Sequence, residues 1–130
     1  MTFSSPAPAA QASGFPSPAG DYAVASLDLN DYLVSHREAT FFLRARGGAM
    51  TSAGIQNDDL LVVDRAIGPA HGDIVIAVVD GEFMVRRLGK RAGRISLHAA
   101  QPGHSPLFFG DGQELQLWGV VTHVIHPLRP

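Results

Sequence analysis

The sequence predicts a mostly-β domain, because short apolar strands separated by turn residues recur along the chain while helical periodicity is almost absent. The clearest signal is a hairpin. A β-branched run at residues 74–79 precedes Asp80-Gly81, a strong two-residue turn signal, and residues 82–88 form the returning strand. Four further strands are predicted at residues 41–46, 60–64, 94–99 and 115–125, the last two separated by a Gly- and Pro-containing stretch at 101–112.

The composition divides the chain near residue 20. Residues 1–20 contain four prolines and no charged side chain, which predicts a flexible arm, whereas residues 21–130 are expected to form one folded domain. The chain has 130 residues, 45% of them hydrophobic and 17% charged, which fits a compact domain with a real core. One short helix is expected at residues 28–36, with Asp28 as its N-cap and an apolar stripe of Leu29, Tyr32 and Leu33.

Bulk properties exclude several classes of protein. The chain has no cysteine, so disulfides and thiolate metal sites are excluded. No apolar run approaches the roughly 20 residues that span a bilayer, and the N-terminus lacks the features of a signal peptide. We therefore expect a cytoplasmic protein without a membrane partner. The net charge of −2 predicts no direct specific binding to DNA.

The hairpin register places one arginine in an apolar setting. With Asp80-Gly81 as the loop, Val75 is expected to pair with Arg86, and Met84, Arg86 and Leu88 share one face of the returning strand. From the residues alone, Arg86 most simply lays its stem along apolar surface with its head in water.

Eight segments of the chain resemble, in order and at matching spacing, the self-cleaving peptidase family of the LexA/UmuD type, the S24 peptidases. They lie at residues 14–22, 27–30, 47–50, 54–55, 58–64, 71–76, 79–83 and 118–123. The resemblance is nearer to UmuD-type members than to LexA, since the residues before Gly14 are too few for a helix-turn-helix domain. It implies a LexA/UmuD/signal-peptidase-like β domain that acts in the SOS response and error-prone translesion synthesis.

The resemblance also assigns site residues. The family cuts its own arm before a glycine, which corresponds to the bond between Ser13 and Gly14. Its serine nucleophile falls on Ala49, and its lysine general base falls on Arg86. The turn formed by Gly47, Gly48, Ala49 and Met50 corresponds to the oxyanion site, with Gly48 where the family usually has an acidic or polar residue.

These departures predict an inactive protease. A serine–lysine dyad needs a hydroxyl and a neutral amine, whereas Ala49 has no hydroxyl and a guanidinium offers no lone pair. Two explanations remain open: a natural pseudoprotease, which the two further departures at Gly48 and Arg86 favour, or an active self-cleaving enzyme whose nucleophile was replaced by Ala49. A third hypothesis, the free regulatory domain of a phage-type repressor, is the weakest.

The partners implied by the resemblance are proteins. They are a second copy of the chain or a paralogue, a RecA-type recombinase filament on single-stranded DNA, and a Y-family translesion polymerase. No cofactor and no metal are expected.

Other candidate sites are weaker. His123 and His126 are expected on opposite faces of a strand, which argues against a shared metal, while His71, His98 and His104 read as scattered surface histidines. The acidic residues around strand 60–64, namely Asp58, Asp59 and Asp64, are expected to serve turns. Ser52 as a shifted nucleophile is disfavoured, because no base is evident beside it.

Overall fold

A computed structural model describes residues 26–110 and 114–129. The polypeptide divides into two units, residues 1–32 and 33–130, and residues 26–32 are the described part of the first. The predicted arm at residues 1–20, including the Ser13-Gly14 bond, lies outside the described residues, so both assignments stay predictions.

The second unit is built on one antiparallel sheet, which confirms the mostly-β prediction. Its strands are β1 (Thr40–Arg44), β2 (Leu60–Asp64), β3 (Ile74–Val79), β4 (Glu82–Arg91), β5 (Arg94–His98), β6 (Leu107–Phe109) and β7 (Leu115–Ile125). Within the sheet they lie in the order β1-β2-β7-β3-β4-β5-β6, so the last strand inserts between β2 and β3.

The helix is shorter than the sequence predicts. Helix α1 spans Leu29–Leu33, and the Oδ1 atom of Asp28 accepts a hydrogen bond from the backbone N–H of Asn30 at 2.9 Å, as expected of an N-cap. The chain does not stay helical to His36, which is extended at φ −126° and bonds through its ring to the Asp64 carboxylate. The expected apolar stripe is not buried in α1, because Leu29 is exposed.

The central hairpin has the predicted register, with Val79 opposite Glu82 and Val75 opposite Arg86. Strand β4 continues past residue 88 to Arg91 and turns back into β5 through Ala92-Gly93, both at positive φ, which is a second hairpin that the prediction missed. The stretch 101–112 also contains β6, an edge strand of three residues that is too short to show a period in the sequence.

Both faces of the sheet are packed. Ile76 lies in a cluster with Met50, Ile55, Leu61 and Val63, while its neighbours Val75 and Ala77 lie in a cluster with Leu88, Leu97 and Val120. Because successive residues of a strand point to opposite faces, the two clusters occupy opposite sides of the sheet. This is why β2 and β3 are near-continuous apolar runs rather than alternating ones.

Strand β7 has two irregularities in its pairing. Its register shifts against β3 at Trp118 and against β2 at Thr122. Between these points Gly119 faces the buried Val63, and a Cβ atom at position 119 would lie 2.6 Å from Val63 Cγ1. The strand therefore needs a glycine here for close packing rather than for a turn.

Replacing Gly119→Ala is expected to lower the free energy of unfolding by about 1–3 kcal/mol, because Val63 is fully buried and cannot move aside. Chemical denaturation monitored by Trp118 fluorescence measures the change. The matched control is Gly68→Ala, which meets no atom within 4 Å and should leave stability unchanged or slightly raised. Equal stabilities of the two variants would contradict the close-packing role.

Candidate active site

The turn at residues 46–50 is held at its entrance by polar contacts. Gly47 has φ +85°, a left-handed conformation that favours glycine, and its N–H donates to Asn57 Oδ1 at 2.8 Å. Just before it, Ala45 exchanges backbone hydrogen bonds with the segment at Asp58 and Asp59. The start of the turn is thereby fixed to the residues that lead into β2.

The end of the turn is held by burial and by the loop after β5. The Met50 side chain is 1% exposed, and its carbonyl accepts the N–H groups of Ala53 and Ile55 at 3.0 and 3.2 Å. Ala100 donates its N–H to the Ala49 carbonyl at 2.8 Å and accepts the Ser52 N–H at 2.8 Å. The position of Ala49 is therefore fixed by its own carbonyl and by the residues before and after it in the turn.

The turn and strand β4 enclose a groove of about 410 Å³ that brings Ala49 and Arg86 together. Its lining residues are Arg46, Gly47, Gly48, Ala49, Phe83, Met84, Val85, Arg86, Gln101 and His104. A second, mostly apolar cavity of about 190 Å³ shares Arg46, Phe83, Met84 and Val85 with it, and we call the two cavities together the groove.

One wall of the groove is an open sheet edge. Strand β4 pairs with β3 over Glu82–Arg87 but with β5 only from Arg87 onward. Within the described residues, the opposite edge of residues 82–86 therefore has no strand partner. Such an edge presents backbone donors and acceptors to which an extended peptide can add.

Arg86 is half-buried and its charge has no acidic partner. Its Nη1 atom donates to the Val85 carbonyl at 2.7 Å, and no carboxylate in the described chain forms an ion pair with it. Burial lowers the pKa of the Arg86 guanidinium from its usual value. A guanidinium nevertheless stays protonated in proteins, so the group beside Ala49 is a fixed cation.

The other predicted turn residues fall in different environments. Gly47 and Gly48 line the groove, whereas the side chain of Met50 is part of the core. Among the described residues no acceptor takes the N–H of Ala49, which lines the groove, whereas Met50 is buried and does not line it. Ser52 is not among the groove-lining residues.

The sequence did not indicate two residues of the groove. Gln101 and His104 lie in the loop after β5 and reach the groove because Ala100 pairs with the turn. His104 is exposed, as the prediction of a surface histidine expects, but nothing in its neighbouring residues signals a pairing between segments 49–52 and 100. An imidazole, unlike a guanidinium, has a lone pair when neutral.

Carboxylates at the two ends of β2 serve turns, as predicted, and also bind histidines. Asp59 Oδ2 accepts the Gln56 N–H at 2.8 Å, and its Oδ1 lies 2.6 Å from His126 Nδ1. Asp64 Oδ1 accepts the Ala66 N–H at 2.8 Å, and its Oδ2 lies 2.6 Å from His36 Nδ1. The histidine partners were not foreseen, because they come from distant segments.

The remaining features bear on metals and membranes. His123 contacts Thr122 Oγ1 at 3.0 Å, so it and His126 engage different partners. Across residues 26–110 and 114–129, no three His, Asp or Glu side chains are grouped so as to hold a metal ion. In the same part of the chain, no helix has the length and apolar character to cross a membrane.

Comparison with known proteins gives a consistent set of relatives. A family model described as Peptidase S24-like matches residues 8–122. Protein ImpA of Escherichia coli is 55% identical over 118 residues, which cover 89% of this chain and 79% of ImpA. Protein MucA of Escherichia coli is 40% identical over 119 residues, covering 88% and 80%. The LexA repressor of Syntrophotalea carbinolica is 38% identical over 89 residues, covering 68% of this chain and 44% of the repressor.

The two aspartate–histidine pairs should make the domain sensitive to acid. The pKa of Asp59 lies below its usual value, chiefly because its carboxylate accepts a hydrogen bond from the Gln56 backbone N–H. Burial opposes this effect, and His126 adds to it. Burial alone would raise the pKa of Asp64, but hydrogen bonds from His36 and the Ala66 N–H outweigh it and lower that pKa. A carboxyl group whose pKa is lower in the folded state than in the unfolded state stabilises the fold at pH values above its unfolded pKa of about 3.9. This stabilisation is lost as the pH falls through the folded-state pKa.

We expect Asp64→Asn to be less stable than the natural chain at neutral pH, with the difference shrinking as the pH falls below about 4. Urea denaturation from pH 7 to pH 3 measures this convergence. The control Glu82→Gln removes an exposed carboxylate and should show no comparable convergence. A stability difference for Asp64→Asn that stays constant with pH would contradict the assignment.

Proposed function

This chain belongs to the peptidase S24 family, in its LexA/UmuD type, and on that premise we propose that it is a non-cleaving accessory protein of SOS mutagenesis. The proposal rests on two of the side chains that line the groove. The methyl group of Ala49 and the guanidinium of Arg86 line it together, where the family chemistry requires a nucleophile and a base.

Neither group can perform its step. Acyl transfer by a dyad begins when the base takes the hydroxyl proton and the oxygen attacks the peptide carbonyl. Ala49 supplies no oxygen, and Arg86 stays protonated. Removal of the nucleophile alone costs on the order of a million-fold in turnover, and losses within a catalytic unit do not add. The N–H of Ala49 alone would support only weak residual catalysis by stabilising an oxyanion.

The groove is nevertheless suited to hold a peptide. The open edge of β4 supplies backbone hydrogen bonds, and apolar side chains such as Leu43, Leu61 and Ile76 line the adjoining part. The N–H of Ala49, which has no acceptor among the described residues, suits a carbonyl oxygen of such a peptide. We therefore infer binding without cleavage: a peptide like the one around Ser13-Gly14 is retained in the groove as an intact chain.

The described surface also supports a protein partner. Phe41 and Phe83 are 41% and 61% exposed, and both pack on Trp118, with ring centroids 5.2 and 5.9 Å apart. Arg65 stacks on the same indole at 4.3 Å. We call these four residues the aromatic patch. Aromatic side chains and arginine are the residues that most often anchor protein interfaces.

The partners that we propose are those of a SOS accessory protein in the cytoplasm. They are a second copy or an active paralogue, the RecA-type recombinase filament, and a Y-family translesion polymerase. In this scheme the chain regulates error-prone synthesis by occupying partner surfaces rather than by processing itself.

The alternative is an active self-cleaving peptidase in which Ala49 replaces the serine. The order of the turn favours it, since hydrogen bonds at Gly47, Ala49 and Met50 hold the backbone on that side of the groove. Arg86 argues against it, because one substitution at position 49 would have sufficed to stop the reaction.

The chain should remain intact when it is incubated with a recombinase filament assembled on single-stranded DNA. The expected mass is that of all 130 residues, because the groove contains neither nucleophile nor base. Intact-mass spectrometry over several hours measures this. A product lacking residues 1–13 would overturn the non-cleaving proposal.

Reversion of the two positions is the matched positive control. The double variant Ala49→Ser with Arg86→Lys should cut at Ser13-Gly14, at a rate that rises with pH as the partly buried lysine becomes neutral. Each single variant should stay intact. Cleavage by Ala49→Ser alone would contradict the assignment of position 86 as the base, and the further change His104→Ala would then show whether His104 has that role.

Capture of a purified Y-family polymerase tests the accessory role separately. Immobilised chain should retain the polymerase, and Phe83→Ala should weaken retention by about tenfold, because it removes an exposed anchor of the aromatic patch. Phe42→Ala is the matched control, since Phe42 is 51% exposed and points to the opposite face of β1. Failure of the unmodified chain to retain the polymerase would overturn this partner.

A further inference from the structure

Positive charge is concentrated in one segment of an otherwise slightly acidic chain. Five of the ten Lys and Arg residues lie between positions 86 and 94, and no Asp or Glu occurs from residue 83 to residue 110. The net charge of −2, which predicts no nucleic-acid site, is a sum over the whole chain and does not show this local cluster. Local clustering rather than net charge decides whether a phosphate site exists.

The β4–β5–β6 part of the sheet places three of these five charges, on Arg87, Arg91 and Arg94, on one face. The cross-strand pairs are Arg87 with His98, Gly89 with Ser96, and Arg91 with Arg94, and Ser96 pairs further with Phe108. Residues two apart on a strand share a face, so these side chains lie together. The opposite face carries Leu88 and Leu97, which are buried in the core. Arg86 and Lys90 also belong to that opposite face, so three of the five cations remain for the face described here.

The cationic face contains a cavity of about 240 Å³ with no carboxylate in its lining. The lining residues are His71, Gly89, Arg91, Arg94, Ser96, His98 and Phe108. Neither arginine forms an ion pair within the described residues. Gly89 leaves room at the floor, since a Cβ atom there would lie 2.3 Å from Ser96 Oγ and 2.8 Å from His98 Nε2.

The polar groups of the cavity are mainly donors. His71 Nδ1 accepts the backbone N–H of Lys90 at 2.9 Å, so the ring proton of the neutral imidazole must be on Nε2. Ser96 Oγ and His98 Nε2 share a hydrogen bond of 2.8 Å and form a second polar contact at the floor. With two guanidinium groups beside them, these residues match the oxygens of an anion, and phosphate geometry suits arginine in particular.

An exposed aromatic ring lies at the same cavity. Phe108 is 56% exposed, and the guanidinium carbon of Arg94 lies 5.5 Å from its ring centroid. Cations that follow a phosphate backbone, together with an aromatic ring on which a base can stack, are the usual components of a single-strand site. The carboxylates of an acidic peptide would use the cations, but they would leave the ring of Phe108 without a stacking partner.

We propose that the β4–β5–β6 face binds single-stranded DNA, with phosphates contacted by Arg91, Arg94 and His71 and a base stacked on Phe108. The site is distinct from the groove: the two share no lining residue. It also stands independently of the accessory role, because it rests on charge and geometry within residues 71–108 alone.

Fluorescence anisotropy of a labelled 20-nucleotide oligothymidylate tests the proposal on the full chain. Saturable binding is expected, weakening roughly tenfold between about 50 and 200 mM salt as two or three phosphate contacts are screened. Arg94→Ala and Phe108→Ala should each reduce affinity by about tenfold. The matched control Arg37→Ala removes an exposed arginine outside the cluster and should have little effect. Unchanged thermal unfolding of each variant shows that the fold is retained.

Three other results would overturn it. Equal loss of binding in Arg37→Ala would show a diffuse attraction rather than a site. Displacement of the oligonucleotide by polyglutamate of equal charge would assign the face to an acidic protein. Binding of inorganic phosphate without binding of the oligonucleotide would reduce it to an ion site. Each of these outcomes leaves the polymerase-capture and cleavage experiments unaffected, so the two proposals can fail separately.

Discussion

The pairing of Ala100 with the segment at Ala49 and Ser52 is the constraint on which the site depends. These two backbone hydrogen bonds join the loop after β5 to the turn before β2, although some fifty residues separate them. Strand β5 pairs with β4 only from Arg87 onward, so neither β5 nor the joined segments pair with the first half of β4. The edge of that half-strand is therefore open. The groove lies along this edge, and Met50 anchors its turn in the core.

Local signals predicted the parts of the fold that local physics determines. Asp80-Gly81 set the register of β3 and β4, so the position of Arg86 opposite Val75 followed from counting residues, and Asp28 capped the helix as its side chain suggested. The short edge strand β6, and the entry of His104 into the groove, depend on contacts between distant segments. No pattern within a window of a few residues contains that information.

The net charge of the chain also differs from the local charge of its segments. The net value for the chain reflects acidic residues at the turns around β2 and β3, while residues 83–98 of the hairpin from β4 to β5 contain cations and no carboxylate. Two of the acidic residues, Asp59 and Asp64, bind histidines and backbone N–H groups, so they are used within the domain. Arg86 and Arg87 donate to backbone carbonyls, whereas Arg91 and Arg94 form no ion pair within the described residues, which leaves these two available to a ligand.

Binding and bond cleavage place different demands on the same groove, and under the function that we propose this chain meets only the first. An extended peptide needs an open strand edge, apolar walls and free N–H groups, all of which are set by backbone pairing that Ala49 and Arg86 do not disturb. Cleavage needs in addition one oxygen and one lone pair at two side-chain tips. Loss of those atoms costs the fold nothing, since the turn is held by Gly47, Met50 and Ala100 rather than by a hydroxyl. A protein selected for its contacts can therefore lose its chemistry and keep its structure.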